Sequence, residues 1–457
     1  MHSRLVTGGA WAVALLLATG AVACDGCRGK SPAAAPGAAG AAGSGAPPSG
    51  ASAGFAGQSA RLASLPPGHE LGETSFSPDG RHVAFVATRD GKAFVFLDAK
   101  ASGAYEDARG LAFPEGRSGL AFVARQGGKE LVVVDGVEGA RYGGVGTARF
   151  APDGRVVYSA QQDGAWQVVV GARATAAPGA SDPSPFVSAD GKRVVFTEQD
   201  AVTGKARLRA CSLELTGCSE GGAYDAISPS HTGPSGPLLA FVAARGGKEA
   251  VATVRLDGPG LAEQTSGWYD AVPLFAASSG GEHLAFLASR GDLQLLVRDG
   301  AELPVARVDS PLELAVSRSG RVLLTGVVDN KVAAFVEGKR VGRDQAGLYF
   351  PLFSPDGASH AYVAEWGEKN ALVVNGEEGP LFDKVVTPRF TPDGARVVYR
   401  ARQNGERFAV VADAHARTVR EHPHYEAVFD VIVSPDGKSV GYGVRTGQEL
   451  WWKVEKL

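Results

Sequence analysis

The chain has 457 residues, a formal net charge of −3 and 62 Gly, about twice the usual share of glycine. Its length exceeds the roughly 250–300 residues at which one compact core stops growing, so it holds several domains or repeats a small unit. The weak net charge excludes a strongly basic nucleic-acid-binding protein, and we expect no nucleic-acid partner. The four Cys are too few for a disulfide scaffold.

Residues 1–23 have the organisation of an export signal. A short polar start precedes a mostly apolar block at residues 5–18, and small residues then lead to Cys24. The apolar block is short for a membrane span, and the small residues suit cleavage. This segment resembles a bacterial lipoprotein signal, which implies that Cys24 is lipidated and anchors the protein to a membrane of the bacterial cell envelope. Ala21-Val22-Ala23 also fits ordinary signal cleavage, and an uncleaved anchor is a third alternative.

Residues 24–60 are predicted to be a flexible tether. Of residues 31–60, 28 of 30 are Ala, Gly, Ser or Pro, so the segment has almost nothing to bury. A disordered coil of about 30 residues spans on the order of 30 Å. We expect it to hold a folded domain away from a membrane, on the periplasmic side or at the cell surface.

Residues 61–457 are predicted to be a repeat domain. The unit is an apolar residue, then Ser/Ala/Thr-Pro-Asp-Gly, then a β-rich run, with five clear and five degenerate copies. The last glycine of each copy, which we call its anchor glycine, recurs every 36 to 45 residues: Gly80, Gly116, Gly154, Gly191, Gly236, Gly281, Gly320, Gly357, Gly394 and Gly437.

The motif and its surroundings predict four short strands per unit. Pro presets φ at the second turn position, Asp bonds to local backbone and Gly accepts positive φ, which gives a tight turn between antiparallel strands. Two apolar runs separated by a polar loop follow the turn. An aromatic about twelve residues before most anchor glycines marks an outer strand. Four-stranded antiparallel sheets at this period are the blades of a β-propeller, so the fold class is all-β with about ten repeats.

The Ser-Pro-Asp-Gly form resembles the PD40 or TolB-like propeller family, relatives of WD40 repeats, over about residues 62–457. The resemblance implies a propeller fold and contacts with envelope proteins, and it carries over no partner residue. One large ring, two five-bladed rings, or fewer blades with insertions all remain open. The last unit ends at its third strand, so we predict that residues 60–65 supply its fourth strand and close the ring.

Cys211 and Cys218 enclose six residues with a turn signal, and we expect them to form a disulfide across a hairpin. The alternative is two buried thiols. Glu421-His422-Pro423-His424 has too few ligands for a metal site. We therefore predict no metal and no cofactor.

The loops between second and third strands are polar and often basic, and acids precede several first strands. In a propeller these segments meet on one face, so we predict a mixed-charge ring there. The hypothesis is a docking face for a protein or glycan, and the alternative is a solvated rim of surface loops. The candidate residues are Arg89, Lys92, Arg125, Lys129, Asp225, Arg245, Lys248, Asp270, Lys369, Asp383, Arg402, Glu426 and Arg445.

These observations favour a monomeric, exported, membrane-tethered propeller that binds or scaffolds an envelope protein or glycan. The alternative is an exported propeller enzyme, such as a glycan hydrolase or a lactonase, with its site in the central funnel. No spacing of acids in the sequence selects a catalytic pair, because the distance between two carboxylates is a structural quantity. We therefore predict no catalytic residue.

Overall fold

The computed structural model of this protein describes residues 58–457 except 180, 229–237, 259 and 306. Within this part the chain forms 41 β-strands and no helix, arranged in ten sheets. Consequently, none of the described residues belongs to a helix that could span a membrane. The predicted signal, Cys24 and most of the predicted tether lie outside the described residues, as does the anchor Gly236.

The ten sheets are ten blades, and their strands are numbered β1–β41 in chain order. β1 is Ala60–Ser64. The strands of the first five blades, β2–β22, are Glu70–Phe76, Val83–Arg89, Lys92–Leu97 and Lys100–Tyr105 (blade 1); Asp107–Ala112, Ala121–Gln126, Lys129–Val134 and Val137–Tyr142 (blade 2); Gly144–Val145, Arg149–Phe150, Val156–Gln162, Ala165–Val170 and Arg173–Ala176 (blade 3); Phe186–Val187, Arg193–Gln199, Ala206–Ser212 and Ser219–Glu220 (blade 4); and Ala226–Ile227, Leu238–Arg245, Lys248–Arg255 and Glu263–Thr265 (blade 5).

The other five blades comprise β23–β41 and follow the same plan. Their strands are Ala271–Ala277, Leu284–Arg290, Leu293–Arg298 and Ala301–Pro304 (blade 6); Ser310–Val316, Val322–Val328, Lys331–Val336 and Lys339–Gln345 (blade 7); Gly347–Phe353, His360–Trp366, Lys369–Val374 and Glu377–Phe382 (blade 8); Lys384–Phe390, Arg396–Gln403, Glu406–Asp413 and Thr418–Glu421 (blade 9); and Ala427–Val433, Ser439–Thr446 and Glu449–Lys456 (blade 10).

The blades form one closed ring. Within each blade neighbouring strands pair antiparallel in chain order, and in blade 3 the first strand is split into two pieces. Every blade contacts the next along the chain, and the first strand of blade 10 contacts the first strand of blade 1. The all-β propeller prediction is therefore confirmed, and the open question of blade number resolves to a single ring of ten, above the usual four to eight.

The ring is sealed by the N-terminal strand, as predicted. β1 pairs antiparallel with β41, the third strand of blade 10, with Ala60 opposite Trp452 and Ser64 opposite Glu449. The Leu65 N–H then donates to the Gln448 carbonyl at 2.7 Å. Since β1 covers the outer edge of the last blade, the first and last strands are held together and that blade gains its fourth strand.

The recurring turn uses its hydroxyl residue as well as its Pro, Asp and Gly. In blade 1 the buried Ser77 hydroxyl donates to Asp79 at 2.6 Å and accepts the His82 N–H at 2.9 Å. The Gly80 N–H closes the turn onto the Ser77 carbonyl at 2.8 Å, with φ at 69°. The same hydroxyl–carboxylate bond occurs in Ser188–Asp190, Ser354–Asp356, Thr391–Asp393 and Ser434–Asp436.

The core lies between blades rather than inside one central body. The middle strands are buried on both faces, as residues 83–87 of blade 1 illustrate. Each hydrophobic cluster draws on two neighbouring blades; one joins Val363 and Leu372 of blade 8 to Tyr399 and Phe408 of blade 9. A buried aromatic, Tyr105, Tyr142 or Phe382, ends the outer strand of blades 1, 2 and 8. Burial on both sides explains why the middle strands read as continuous apolar runs.

Candidate binding face at the hairpin loops

Each blade turns between its second and third strands in a hairpin, and the segment leading into its first strand lies beside that hairpin. We call this end of the ring the hairpin face. The structure places the basic candidates of the sequence analysis at strand ends beside the hairpins, and the acidic candidates in the segments leading into blades 5, 6, 9 and 10.

The acids of the hairpin face accept hydrogen bonds from the backbone of the hairpin they adjoin. Hairpin N–H groups at a turn lack partners in the sheet, so a carboxylate held beside them satisfies them and fixes the loop. The four predicted acids and their donors are Asp225 with Gly246 (2.7 Å), Asp270 with Gly291 (2.6 Å), Asp383 with Asn404 (2.7 Å) and Glu426 with Gly447 (2.8 Å).

Sequence reasoning missed two acids with the same role. Glu106 accepts the Gly127 N–H at 2.8 Å in blade 2, and Asp309 accepts the Asp329 N–H at 3.1 Å in blade 7. Both directly follow a buried apolar residue, Tyr105 in one case and Val308 in the other. An acid placed just after that apolar residue was the available signal.

Several of these acids also bind a lysine from the hairpin of the preceding blade. Lys205 pairs with Asp225, Lys248 pairs with Asp270, and Lys369 pairs with Asp383 at 3.2 Å. Each such acid therefore connects two consecutive blades, with its own hairpin on one side and a lysine on the other. Arg125 and Arg445 make longer ion pairs, with Asp107 at 3.5 Å and Glu426 at 3.8 Å.

These contacts favour the charged form of the carboxyls. The hydrogen bonds from Lys205 and Lys248 lower the pKa values of Asp225 and Asp270, and the neighbouring hairpin N–H groups lower them further. For Asp383 the Asn404 N–H is the largest cause of the lowered pKa, ahead of Lys369. Asp225, Asp270 and Asp383 are thus ionised at neutral pH and already hydrogen-bonded.

Some cations of the hairpin face contact other side chains, and others make no hydrogen bond or ion pair. Arg245 stacks on Tyr224 and Trp268, with its Cζ 5.0 and 5.4 Å from the ring centroids. Within the described residues, the side chains of Lys92, Lys129 and Arg402 make no hydrogen bond and no ion pair within 4 Å. Lys92 and Lys129 are exposed, whereas Arg402 is half-buried and its charge helps to lower the pKa of Asp383. Such unpaired charges, rather than the paired ones, are free to meet a partner.

A cleft of about 560 Å³ opens on the hairpin face between blades 8 and 9. Three of the candidate residues, Lys369, Asp383 and Arg402, line it, together with Glu368, Gly405 and Arg407. Both signs of charge and several guanidinium and carboxylate groups are therefore exposed in one concave site.

A second feature, on the innermost strands, escaped the sequence analysis. In blades 8, 9 and 10 the pairing of first and second strands shifts register at the seventh residue before the anchor glycine. That residue is Phe350 in blade 8 and Thr387 in blade 9, with φ of 56° and 50°, which bulky and β-branched residues rarely adopt. No glycine marks either position in the sequence, so sequence reasoning had no signal for these left-handed residues.

The inner bulges of blades 7 and 8 combine aromatic surface with a weakly acidic carboxyl group. Tyr349 and Phe350 expose 39% and 36% of their surface, and the Tyr349 hydroxyl donates to Glu365 at 2.6 Å. Burial raises the pKa of Glu313 to about 7, although the Phe350 N–H opposes that shift. This wall of the ring therefore offers an apolar contact surface and a carboxyl that titrates near neutrality.

The remaining candidates lie apart from these sites. Cys211 and Cys218 are joined by a disulfide at the end of blade 4 opposite its hairpin. His422 is buried, which lowers its pKa to about 4, and His424 contacts Glu406 and Glu421. The described residues contain no group of three or more His, Cys, Asp or Glu side chains arranged to hold a metal.

Comparison with known proteins gives structural likeness only. No protein-family model and no curated protein matches the chain. Solved structures with similar folds include TolB from Acinetobacter baumannii, at 12% identity and a TM-score of 0.29 over 62% of this chain and 81% of that one. The β-propeller domain of the Trilobed protease from Pyrococcus furiosus is 11% identical, with a TM-score of 0.35 over 67% and 94% of the two chains. The Dos1 propeller is 10% identical, with a TM-score of 0.39 over 86% and 93%.

Proposed function

We propose that this protein is an exported, lipid-anchored propeller of the PD40 or TolB-like type that binds an envelope protein through its hairpin face. The Ser-Pro-Asp-Gly repeats support the family, and the small residues before Cys24 support lipidation at that cysteine. The observation that carries the binding role is the set of carboxylates that hold the hairpins of successive blades in place.

A face built this way is suited to binding because its loops are ordered before a partner arrives. Ordering loops and side chains on association costs free energy, and loops already fixed by internal hydrogen bonds avoid most of that cost. The carboxylates that hold the loops stay hydrogen-bonded within the protein and do not bind the partner. The unpaired lysines and Arg402 then supply electrostatic complementarity at the surface.

Charge reversal at unpaired positions tests the binding role. Lys92→Glu and Lys129→Glu change the hairpin face without breaking an internal ion pair. The matched control reverses Lys100 and Lys339, which are exposed between third and fourth strands at the opposite end of the ring. Equal thermal melting of the two double variants establishes that both are folded.

The measurement is crosslinked capture from bacterial envelopes, followed by direct titration of the purified captured protein. We expect the hairpin-face variant to lose at least tenfold in affinity and the control to bind like wild type. Equal affinity for wild type and the hairpin-face variant, or an equal loss in the control, contradicts the proposal.

Anchoring is tested separately at Cys24. Wild-type protein expressed in a bacterium should incorporate labelled palmitate and sediment with membranes, whereas Cys24→Ser should incorporate none. A shorter, unlabelled wild-type product in the soluble fraction would instead indicate ordinary signal cleavage. Membrane sedimentation of wild type with its N-terminus intact and without label would indicate an uncleaved anchor.

A further inference from the structure

Near the hairpin of each blade, one residue on each of the first three strands can be compared between blades. They are the residues opposite one another on the first, second and third strands. In blade 2 they are Asp107, Arg125 and Glu130, a row of alternating charge. Like charges placed directly opposite on neighbouring strands destabilise a sheet, and opposite charges stabilise it. Blade 2 therefore shows the arrangement expected of positions that serve stability alone.

Blade 9 places three cations in this row. Lys384 lies opposite Arg402, and Arg402 lies opposite Arg407. In blade 2 the row is neutralised, because Asp107 is 3.5 Å from Arg125 and Glu130 is 2.9 Å from Arg109. Blade 9 is described in full, and no carboxylate of the described residues lies within 4 Å of the three cations. We call these three residues the cationic row.

A fourth guanidinium lies behind the row. Arg400 donates from Nε to the Thr387 hydroxyl at 3.1 Å and from Nη1 to the Val428 carbonyl at 3.2 Å. Burial lowers the pKa of Arg400, Arg389 and Arg407 add to that effect, and Asp430 alone opposes it. Its hydrogen-bond acceptors are neutral, so its positive charge is incompletely balanced.

Two cations of the row are open to a ligand, while the Lys384 Nζ lies 5.8 Å from the centroid of the Tyr349 ring. Arg402 and Arg407 line the 560 Å³ cleft between blades 8 and 9. The Arg407 Nη1 donates to the Glu426 carbonyl at 2.6 Å, another neutral acceptor. Lys369 and Asp383, on the other wall, neutralise each other at 3.2 Å. The cleft is lined by three cations, Lys369, Arg402 and Arg407, and two carboxylates, Glu368 and Asp383, so its net formal charge is positive by one unit.

We propose that the cationic row of blade 9, with Arg400 behind it, binds a phosphoryl group in its dianionic form. Guanidinium forks match the oxygens of phosphate and carboxylate, with two parallel N–H donors for each anion. A dianion offsets more of the repulsion among Lys384, Arg402 and Arg407 than a single carboxylate does. This site goes beyond the proposed protein binding, although it shares Arg402 with the hairpin face, because phosphate binding is measured without any protein partner.

The experiment titrates the full folded chain with inorganic phosphate, with glycerol phosphate and with acetate at constant ionic strength, by calorimetry. We expect saturable binding of both phosphates at millimolar concentration or below and at least tenfold weaker binding of acetate. Affinity for glycerol phosphate should rise as pH increases through its second pKa of about 6, where the dianion forms. Absence of saturable phosphate binding by wild type, or equal affinity for acetate, overturns the proposal.

Two substitutions assign the site. Arg402→Gln and Arg407→Gln together should reduce phosphate affinity at least tenfold, since each removes a charge-assisted hydrogen-bond donor. Arg125→Gln is the matched control because it occupies the Arg402 position in blade 2, and it should leave phosphate affinity unchanged. An equal loss in the control, or none in the double variant, refutes this location. Arg402→Lys, which keeps the charge and loses the fork, should give an intermediate affinity.

A flotation assay distinguishes the two sources of a phosphoryl group. The probe is a vesicle of phosphatidylcholine with or without phosphatidate. Flotation that requires phosphatidate and is lost in the Arg402, Arg407 double variant assigns a lipid headgroup to the site. Phosphate binding without such flotation assigns a soluble phosphate or phosphomonoester, and both results support the proposal.

Discussion

The closing strand makes a quantitative prediction at Leu65. Only 4% of this residue is exposed, and its side chain packs in one cluster with Phe85 and Phe96 of blade 1 and with Phe429 and Leu450 of blade 10. Leu65 therefore joins the N-terminal segment to both blades at the seal of the ring. Leu65→Ala removes this contact and leaves the backbone pairing of β1 in place.

The expected loss in free energy of unfolding follows from the burial of Leu65. Leu→Ala at a buried site costs roughly 2–5 kcal/mol, because transfer free energy is lost and a cavity remains. We take about 3 kcal/mol as the expected loss in free energy of unfolding. Unfolding entropy near 2.1 cal/mol/K per residue gives about 0.8 kcal/mol/K for a domain of this size, so Tm should fall by about 4 °C.

Calorimetry and urea unfolding, followed by tryptophan fluorescence, measure the effect. The control is Leu293→Ala, at a residue with 64% of its surface exposed, which should cost less than about 0.5 kcal/mol. Deleting residues 58–65 should also expose Trp452, which is fully buried, and shift its emission to longer wavelength. Equal stability of Leu65→Ala and Leu293→Ala would refute the role of the closing strand.

Three further predictions concern the turns, a buried histidine and the disulfide. Gly80→Ala should cost about 3 kcal/mol, since its Cβ would clash with the buried Trp452 ring. Gly91→Ala, with φ also 69° but open space around it, should cost about 1 kcal/mol in thermal melts. The buried His360 has a pKa lowered to about 4, so the unfolded chain binds the extra proton between pH 6.5 and 4; stability should fall as pH decreases through that window, and less steeply in His360→Leu. Replacing Cys211 and Cys218 by Ser should lower stability by about 2.5 kcal/mol, and a reductant should then have no further effect.

The blade itself was predictable because its signals are local. Turn residues such as Pro78, Asp79 and Gly80 act within four positions of the chain, and the apolar runs after them are continuous because both of their faces are covered. Even the closing strand followed from counting, since the last unit has three strands and an unpaired segment precedes the first.

The candidate face was only partly predictable. The sequence locates Asp383 and Lys369 near hairpins, but their pairing depends on how two consecutive blades meet. The same limit hides the cationic row, because Lys384, Arg402 and Arg407 align only when the register of three strands is known. The left-handed Phe350 escapes for another reason: its sequence context carries no glycine to mark positive φ.

By itself, the sequence determined the all-β class, the strand order within a blade, the ten repeats and the segment that seals them. Only the tertiary structure decided that ten blades close into one ring, that the acids of the hairpin face are occupied by internal hydrogen bonds, and that uncompensated positive charge gathers in blade 9. The reason is physical. Turn geometry and hydrophobic period are set by residues close in sequence, whereas ring closure and charge pairing depend on angles and registers between elements tens of residues apart.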